Sequence, residues 1–404
     1  MPIRPILAAL RKHRIAAALI TLEIALACAV LCNACFLIAH RFAAMQVVSG
    51  VDESSLALLG VDGFDDARAS DLNGRIVSAL RAVPGVTAVS VVGGVPFGPQ
   101  VATAGISTDA EHKHRGGQVD FYVSGPGTLD AMGLRVVAGQ APGPSDYVPV
   151  TDFVPNDSRV LVTRALADHL WPGQDPLGHE FWVSSYHFRV IGVLDHLALA
   201  APGSRGANSA EWAVFVPGAP GAKLAGRYLL RAPAAEIDAV LHKAREAVAR
   251  VAPEVVIDDD ATRTVSALRQ RYFQGDRVMV GMLAGIVIAL LLVTALGIFG
   301  LASFWVAQRR RQIGIRRAIG ATRRDILRYF QMENFLIVTI GVVAGMVLAY
   351  GMNALLMSAY ELPRLPSFYL PIGTVTLWVL GQLAVLSPAL RAAAVPPVVA
   401  TRSI

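Results

Sequence analysis

Residues 307–332 read AQRRRQIGIRRAIGATRRDILRYFQM. The stretch holds eight arginines (Arg309, Arg310, Arg311, Arg316, Arg317, Arg323, Arg324 and Arg328) against one acid, Asp325, before Glu333 closes it. Val278 to Gln308 on one side carries no charge, and neither does Asn334 to Tyr360 on the other. Each run exceeds the roughly 20 apolar residues needed to cross a bilayer. Short arginine-rich loops beside membrane spans stay on the cytoplasmic side. A basic turn joined directly to two spans therefore orients the whole chain.

Working outward, four spans can be read. The first is 15–39. It follows Arg4, Arg11, Lys12 and Arg14, which place the N-terminus, 1–14, in the cytoplasm. A stalk and second span occupy 275–305, the cytoplasmic loop 306–333 and the third span 334–357. The connector 358–367, with one acid and one base, fits the outside. The fourth span is 368–390, and the tail 391–404, with Arg391 and Arg402, is again cytoplasmic. The segment 40–274 is left on the far side. Span one is longer than a signal-peptide core of 7–15 residues. Ala25-Leu26-Ala27-Cys28 lacks the leucine of a lipoprotein cleavage site, so an uncleaved anchor is expected.

Composition agrees. Of 404 residues, 54% are hydrophobic and 16% charged, with a mean hydropathy of +0.50, where a soluble chain carries about 25% charge. The net charge of +6 sits in membrane-flanking segments, which argues against nucleic-acid binding. The three cysteines, Cys28, Cys32 and Cys35, all fall in span one, so no disulfide framework supports the far-side region.

That region reads as α+β. SSLALLGV, LNGRIVSALRAV and VTAVSVVG form a strand–helix–strand unit. GRYLLRA, AAEIDAVLHKAREAVARV and EVVIDDD repeat the order, around a β-rich insert. From Thr264, TVSALRQRYFQGDRVMVGM reads as one helix running into span two.

Catalytic signals are missing from the sequence. There is no G-x-x-x-x-G-K-[ST] loop, no G-x-S-x-G elbow and no H-E-x-x-H. ATP hydrolysis is therefore expected in a partner, with no cofactor or metal in this chain. His112 and His114 lie in a charged loop and read as solvated rather than as ligands. Cys28, Cys32 and Cys35 share one helix face. A soft-metal site is the alternative there to packing between helices, and packing is the reading taken. Glu23 and Asn33 are intramembrane polar residues, marking contacts or a functional site. Gly281–Gly285 and Gly341–Gly345 fit G-x-x-x-G, a signature of close helix approach.

Within 306–333, Ile313, Gly314, Ile315, Arg316, Arg317, Ile319 and Gly320 form a basic, apolar helix and its break. Thr322 to Asp325 fits a capping box that opens the next helix. The result is an elbow, read as a docking element for a cytoplasmic protein.

Residues 308–337, QRRRQIGIRRAIGATRRDILRYFQMENFLI, resemble the signature loop of MacB/FtsX-type ABC transporter permeases, R-x-x-E-I-G-I-R-R-A-L-G-A. Gln312 stands where that pattern has its acid. ALADHLWPGQDPLGHEF followed by FRVIGVL is similar to the family's periplasmic core pattern, and GTLDAMGLRVVAGQAP loosely so. SPALRAAAVPPVVATRSI is similar to its ending. The resemblance implies an α-helical membrane protein with four transmembrane helices and a large α+β periplasmic domain inserted between helices 1 and 2. It implies an inner-membrane permease that pairs with a second, identical or paralogous, permease chain. The ATPase subunits that bind ATP and Mg are expected on a separate chain, because this one opens at its first span. Export with a periplasmic adaptor and an outer-membrane channel is the leading expectation. Lipoprotein release of the LolC/LolE kind and FtsX-like control of cell-wall hydrolases are the alternatives.

Overall fold

The computed structural model describes residues 14–99, 101–203, 209–360 and 366–394. Arg4, Arg11 and Lys12, the centre of the 358–367 connector and the tail beyond 394, with Arg402, lie outside the described residues. The chain divides into an α/β unit, Ala43–Gly275, and a helical unit built from the segments before and after it.

In chain order, helix α1 is Arg14–Met45. Strand β1 (Leu56–Asp62), helix α2 (Ala69–Arg81) and strand β2 (Ala88–Val91) follow. Next come β3 (Ala102–Ser107), β4 (Arg115–Ser124), α3 (Thr128–Met132), β5 (Val136–Gly139) and β6 (Val148–Pro149). Then come β7 (Ser158–Thr163), α4 (Arg164–Leu170), β8 (Glu180–Val183), β9 (Tyr186–Leu194) and β10 (Ala213–Ala219). The unit closes with β11 (Arg227–Arg231), α5 (Ile237–Val251), β12 (Val256–Thr264) and α6 (Val265–Tyr272). Four helices remain: α7 (Gln274–Gln308), α8 (Arg310–Ala318), α9 (Arg323–Tyr360) and α10 (Tyr369–Ala393).

The two strand–helix–strand segments interleave. Their sheet has the order β12-β1-β11-β2, every neighbouring pair antiparallel. Each crossover helix thus joins two strands with a third between them, the split βαβ arrangement of ferredoxin-like folds. Central β1 is an apolar run because both its faces are covered. Ala57, Leu59 and Val61 share a core with Leu72 and Ile76 of α2 and Val240 and Val248 of α5. Leu56 and Leu58 point the other way, to Val265, Leu268 and Phe273. Side chains alternating between faces two residues apart explain the division.

The insert forms a second sheet between β2 and β11 and shares a core with the first. Strands β4, β3, β8, β9, β7 and β10 pair in that order, and β10 pairs back to β4, which closes the ring. Phe121, Phe181 and Phe188 fill it, fully buried and ring to ring. Buried Asp120 is satisfied by the Thr103 hydroxyl at 2.8 Å and the Ala200 N–H at 3.1 Å.

The continuous helix read from Thr264 into span two is interrupted. Phe273 (φ −87°, ψ 9°) separates α6 from α7. Its buried ring lies against Phe97 and Tyr272, and keeping it there stops the helix from running on. Arg269, one turn earlier, donates to Glu53 at 2.5 Å and to the carbonyls of Met45 and Val47, each at 2.8 Å.

In the helical unit, α1, α7, α9 and α10 are long and apolar enough to cross a membrane. α1 is the most enclosed of the four. Gly341 and Gly345 of α9 let it approach: a Cβ at Gly341 would meet Ile24 at 2.7 Å, and one at Gly345 the Ala25 carbonyl at 2.7 Å. Cys28 packs at Gly345 and Cys32 against Gly373 of α10. Asn33 donates to the carbonyls of Ala29, at 3.0 Å, and Ala349 of α9, at 3.1 Å. Nothing lies within 4 Å of a Cβ at Gly281 or Gly285 on α7.

Candidate functional site

The elbow is built from the C-terminal end of α7, the N-terminal end of α9 and the C-terminal end of α10 around the short α8. A single non-helical residue, Arg309 (φ −97°, ψ 7°), separates α7 from α8. Its guanidinium lies 5.7 Å from the Trp305 ring centre. Nη1 donates to both oxygens of Glu333 on α9, at 3.0 and 2.9 Å. The pair is enclosed, with side-chain exposures of 13% and 2%. A charge-assisted contact of one guanidinium nitrogen with both carboxylate oxygens, in such an enclosed place, is strong. It ties the end of α7 to α9.

Nine residues cannot hold a helix alone. α8 is held by Ile313, buried among Ile326, Phe330, Ala389, Ala392 and Ala393. Arg317 donates to the Ala393 carbonyl at 3.2 Å, and the Arg316 guanidinium lies 5.1 Å from the Tyr329 ring centre. The helix ends in a Schellman turn. The Gly320 N–H bonds the Arg317 carbonyl (3.2 Å) and the Ala321 N–H bonds that of Arg316 (3.0 Å). Gly320 sits at φ +106°, a backbone that favours glycine.

α9 then starts on a reciprocal cap. The Asp325 N–H donates to the Thr322 hydroxyl (3.2 Å), and the Thr322 N–H donates to the Asp325 carboxylate (3.0 Å). The Thr322 hydroxyl bond holds the Asp325 carboxyl below the usual carboxylate range.

The seven elbow residues therefore divide. Ile313 and Gly314 face inward and brace α8. Ile315 is 46% exposed and Ile319 82%, flanked by exposed Arg316 and partly buried Arg317. Ile313 is buried among this chain's own helices, so of the three isoleucines only Ile315 and Ile319 face outward. Glu333, which the sequence reading used only as an end marker, is the main tie. Two opposite charges at the inner ends of two apolar runs were the available signal.

The family described as FtsX-like permease C-terminal matches residues 284–397, which include the whole elbow. The macrolide export ATP-binding/permease protein MacB of Bradyrhizobium diazoefficiens is 25% identical over 374 residues. That alignment spans 87% of this chain and 52% of that protein. The chain is similar, in its C-terminal part, to FtsX-like permeases and, over most of its length, to MacB-type ABC transporter permeases.

Other relatives of this permease are of both lengths. The uncharacterized ABC transporter permease YknZ of Bacillus subtilis is 24% identical, with 76% of each chain covered. The pyoverdine export ATP-binding/permease protein PvdT of Pseudomonas syringae is 37% identical over 127 residues, 30% of this chain and 19% of that one. The chain thus spans about half the length, or less, of the MacB and PvdT proteins that it matches. Among solved structures, the periplasmic region of MacB from Actinobacillus actinomycetemcomitans aligns with a TM-score of 0.34 at 14% identity. It covers 55% of this chain and 94% of that one.

Proposed function

We propose that this permease is the membrane subunit of an ABC exporter in the bacterial inner membrane. α1, α7, α9 and α10 cross the bilayer, and the arginine excess keeps the elbow and both termini in the cytoplasm. The α/β unit, carried between α1 and α7, works in the periplasm. A pair of ABC-type ATPases, which hold the ATP and Mg, docks on the elbow of each of two facing permease chains. An adaptor and an outer-membrane channel complete the export path. The relatives MacB and PvdT, named as export ATP-binding/permease proteins, support this reading.

The observation that carries it is the division within α8. The helix is fixed to its own unit by Ile313 and, through Arg309, by Glu333, yet it presents Ile315 and Ile319 outward. A fixed helix with an apolar outer face can receive a push and pass it into α7 and α9. Burying one isoleucine contributes about 1.5–3 kcal/mol, whereas an exposed ion pair contributes about 0–1. The isoleucines therefore set affinity and the arginines orient the docking. Ile319→Asp is expected to weaken copurification of the ATPase on the order of tenfold or more and to remove its stimulation. Single changes of Arg310 or Arg311 to Ala should do much less. If Ile315→Asp and Ile319→Asp chains bind and stimulate the ATPase normally, the elbow is a topology signal only and the motor docks elsewhere.

A further inference from the structure

Glu23 is the charged residue that the export reading leaves unused. It lies nine residues beyond Arg14 on α1, about 13 Å along the axis at 1.5 Å per residue. Its carboxyl rests on Gly297 of α7, where an added Cβ would stand 2.6 Å from one oxygen and 2.8 Å from the other. Only the absence of a side chain at Gly297 makes that seat. Oε1 is shut off from solvent and has no hydrogen-bond partner. Thr294, one turn away on the same face of α7, is 1% exposed, and its hydroxyl is also unpartnered.

Among the described residues no counter-charge faces this carboxyl. The packed elements carry no other charge at that level: 15–39 holds Glu23 alone, and 278–308, 334–360 and 369–390 hold none. Toward the elbow the Arg309 and Glu333 charges satisfy each other. A lone carboxylate among apolar helices is costly, whereas the acid form is far less so. A small pocket on the elbow side is lined by Ile20, Ile298, Leu301, Trp305, Glu333 and Asn334, and Glu23 is not part of that lining. Ile20 is one turn from Glu23, and Ile298 adjoins Gly297.

We propose that Glu23 is a proton-binding site between α1 and α7, reached from the elbow end. The step is simple protonation: a carboxylate oxygen takes a proton from water that reaches it from the elbow end, and the side chain passes from −1 to neutral. The neutral acid can lie against the α7 backbone. The anion must hydrate, which draws water toward Gly297 and loosens α1 from α7. Proton occupancy thereby biases the packing of the two helices. The inference rests on α1 lying in the bilayer, not on what the protein exports.

The test is dicyclohexylcarbodiimide, which couples to protonated carboxyls in apolar surroundings, applied to the full chain in lipid nanodiscs and read by mass spectrometry. Label is expected on Glu23 at about pH 6, several-fold less at about pH 9, and none on Glu333. Glu23→Gln should abolish the label at that site. Absence of label on Glu23 at about pH 6, or equal label at both pH values, overturns the proposal. A water-soluble maleimide on Leu22→Cys, with the three native cysteines changed to alanine, separates the premise. If that cysteine reacts freely, α1 is not in the bilayer and the membrane reading itself has failed.

Discussion

Arg309 and Glu333 stand 24 positions apart in sequence and meet in a nearly closed site. Removing one member of such a pair strands the other charge, which costs about 3–5 kcal/mol. Arg309→Gln or Glu333→Gln should each lower the thermal midpoint of the detergent-solubilised chain strongly. Replacing both by apolar residues should cost much less, because no charge is left stranded. Equal losses for single and double variants would show that the pair does not hold the elbow. A second ionic device lies in the α/β unit. His187 Nδ1 is 2.8 Å from Asp157 and Nε2 is 3.2 Å from Glu180, which Arg189 also holds. Nδ1 bonds Asp157, and a charged ring would also attract Glu180 beside Nε2, so the cation suits this site better than the neutral imidazole. The Asp157 contact, with Glu180 behind it, raises the His187 pKa above its ordinary value. A raised value means the stabilisation is complete below the unfolded value of about 6.5 and is lost as pH rises through the folded one. Tyr186 binds Asp152 and the His187 N–H binds Asn156, so the loop 152–157 is the segment at stake. Hydrogen exchange there, corrected for intrinsic rate, should quicken from neutrality upward, and His187→Gln should flatten that dependence.

At the scale of elements, α8 and α9 run against ordinary helix preferences. Arg310 and Arg311 open α8, and Arg323 and Arg324 open α9, where the helix dipole is positive. Each such cation costs roughly 0.3–1 kcal/mol, and Asp325 alone answers them in the first turn of α9. These arginines therefore serve orientation or a partner, not the helices. The turn between the helices rests on Gly320. An L-residue at its φ of +106° is strained by about 1–2 kcal/mol. Gly320→Ala should loosen the Schellman turn and make limited trypsin cleavage at Arg316 and Arg317 several-fold faster. Unchanged cleavage would mean that Ile313 packing alone fixes α8.

Over the whole molecule, the paired glycines have different roles. Gly341 and Gly345 are closed by α1, whereas Gly281 and Gly285 lie on a bare part of α7. Gly345→Leu should unfold the helical unit of a single chain. Gly281→Leu and Gly285→Leu should leave it folded and instead split the complex from two permease chains to one, by native mass measurement. Both pairs look alike in sequence, because a G-x-x-x-G pattern records that a backbone can be approached and not by what. The four long apolar helices, the elbow's helix break and the two strand–helix–strand segments, though not their interleaving, were legible, since each rests on local signals: uncharged length, arginine excess, and apolar spacing of two or about 3.6 residues. The Thr322–Asp325 cap was legible for the same reason. Ring closure through β4 and β10, the break at Phe273, the Arg309–Glu333 tie and the inward turn of Ile313 were not. Each depends on which distant residues arrive beside it. Sequence by itself determined where this chain is apolar, basic and helical. Only the tertiary structure decided which of those residues are used up inside the molecule and which stay free, because burial belongs to the packed chain and not to any single segment.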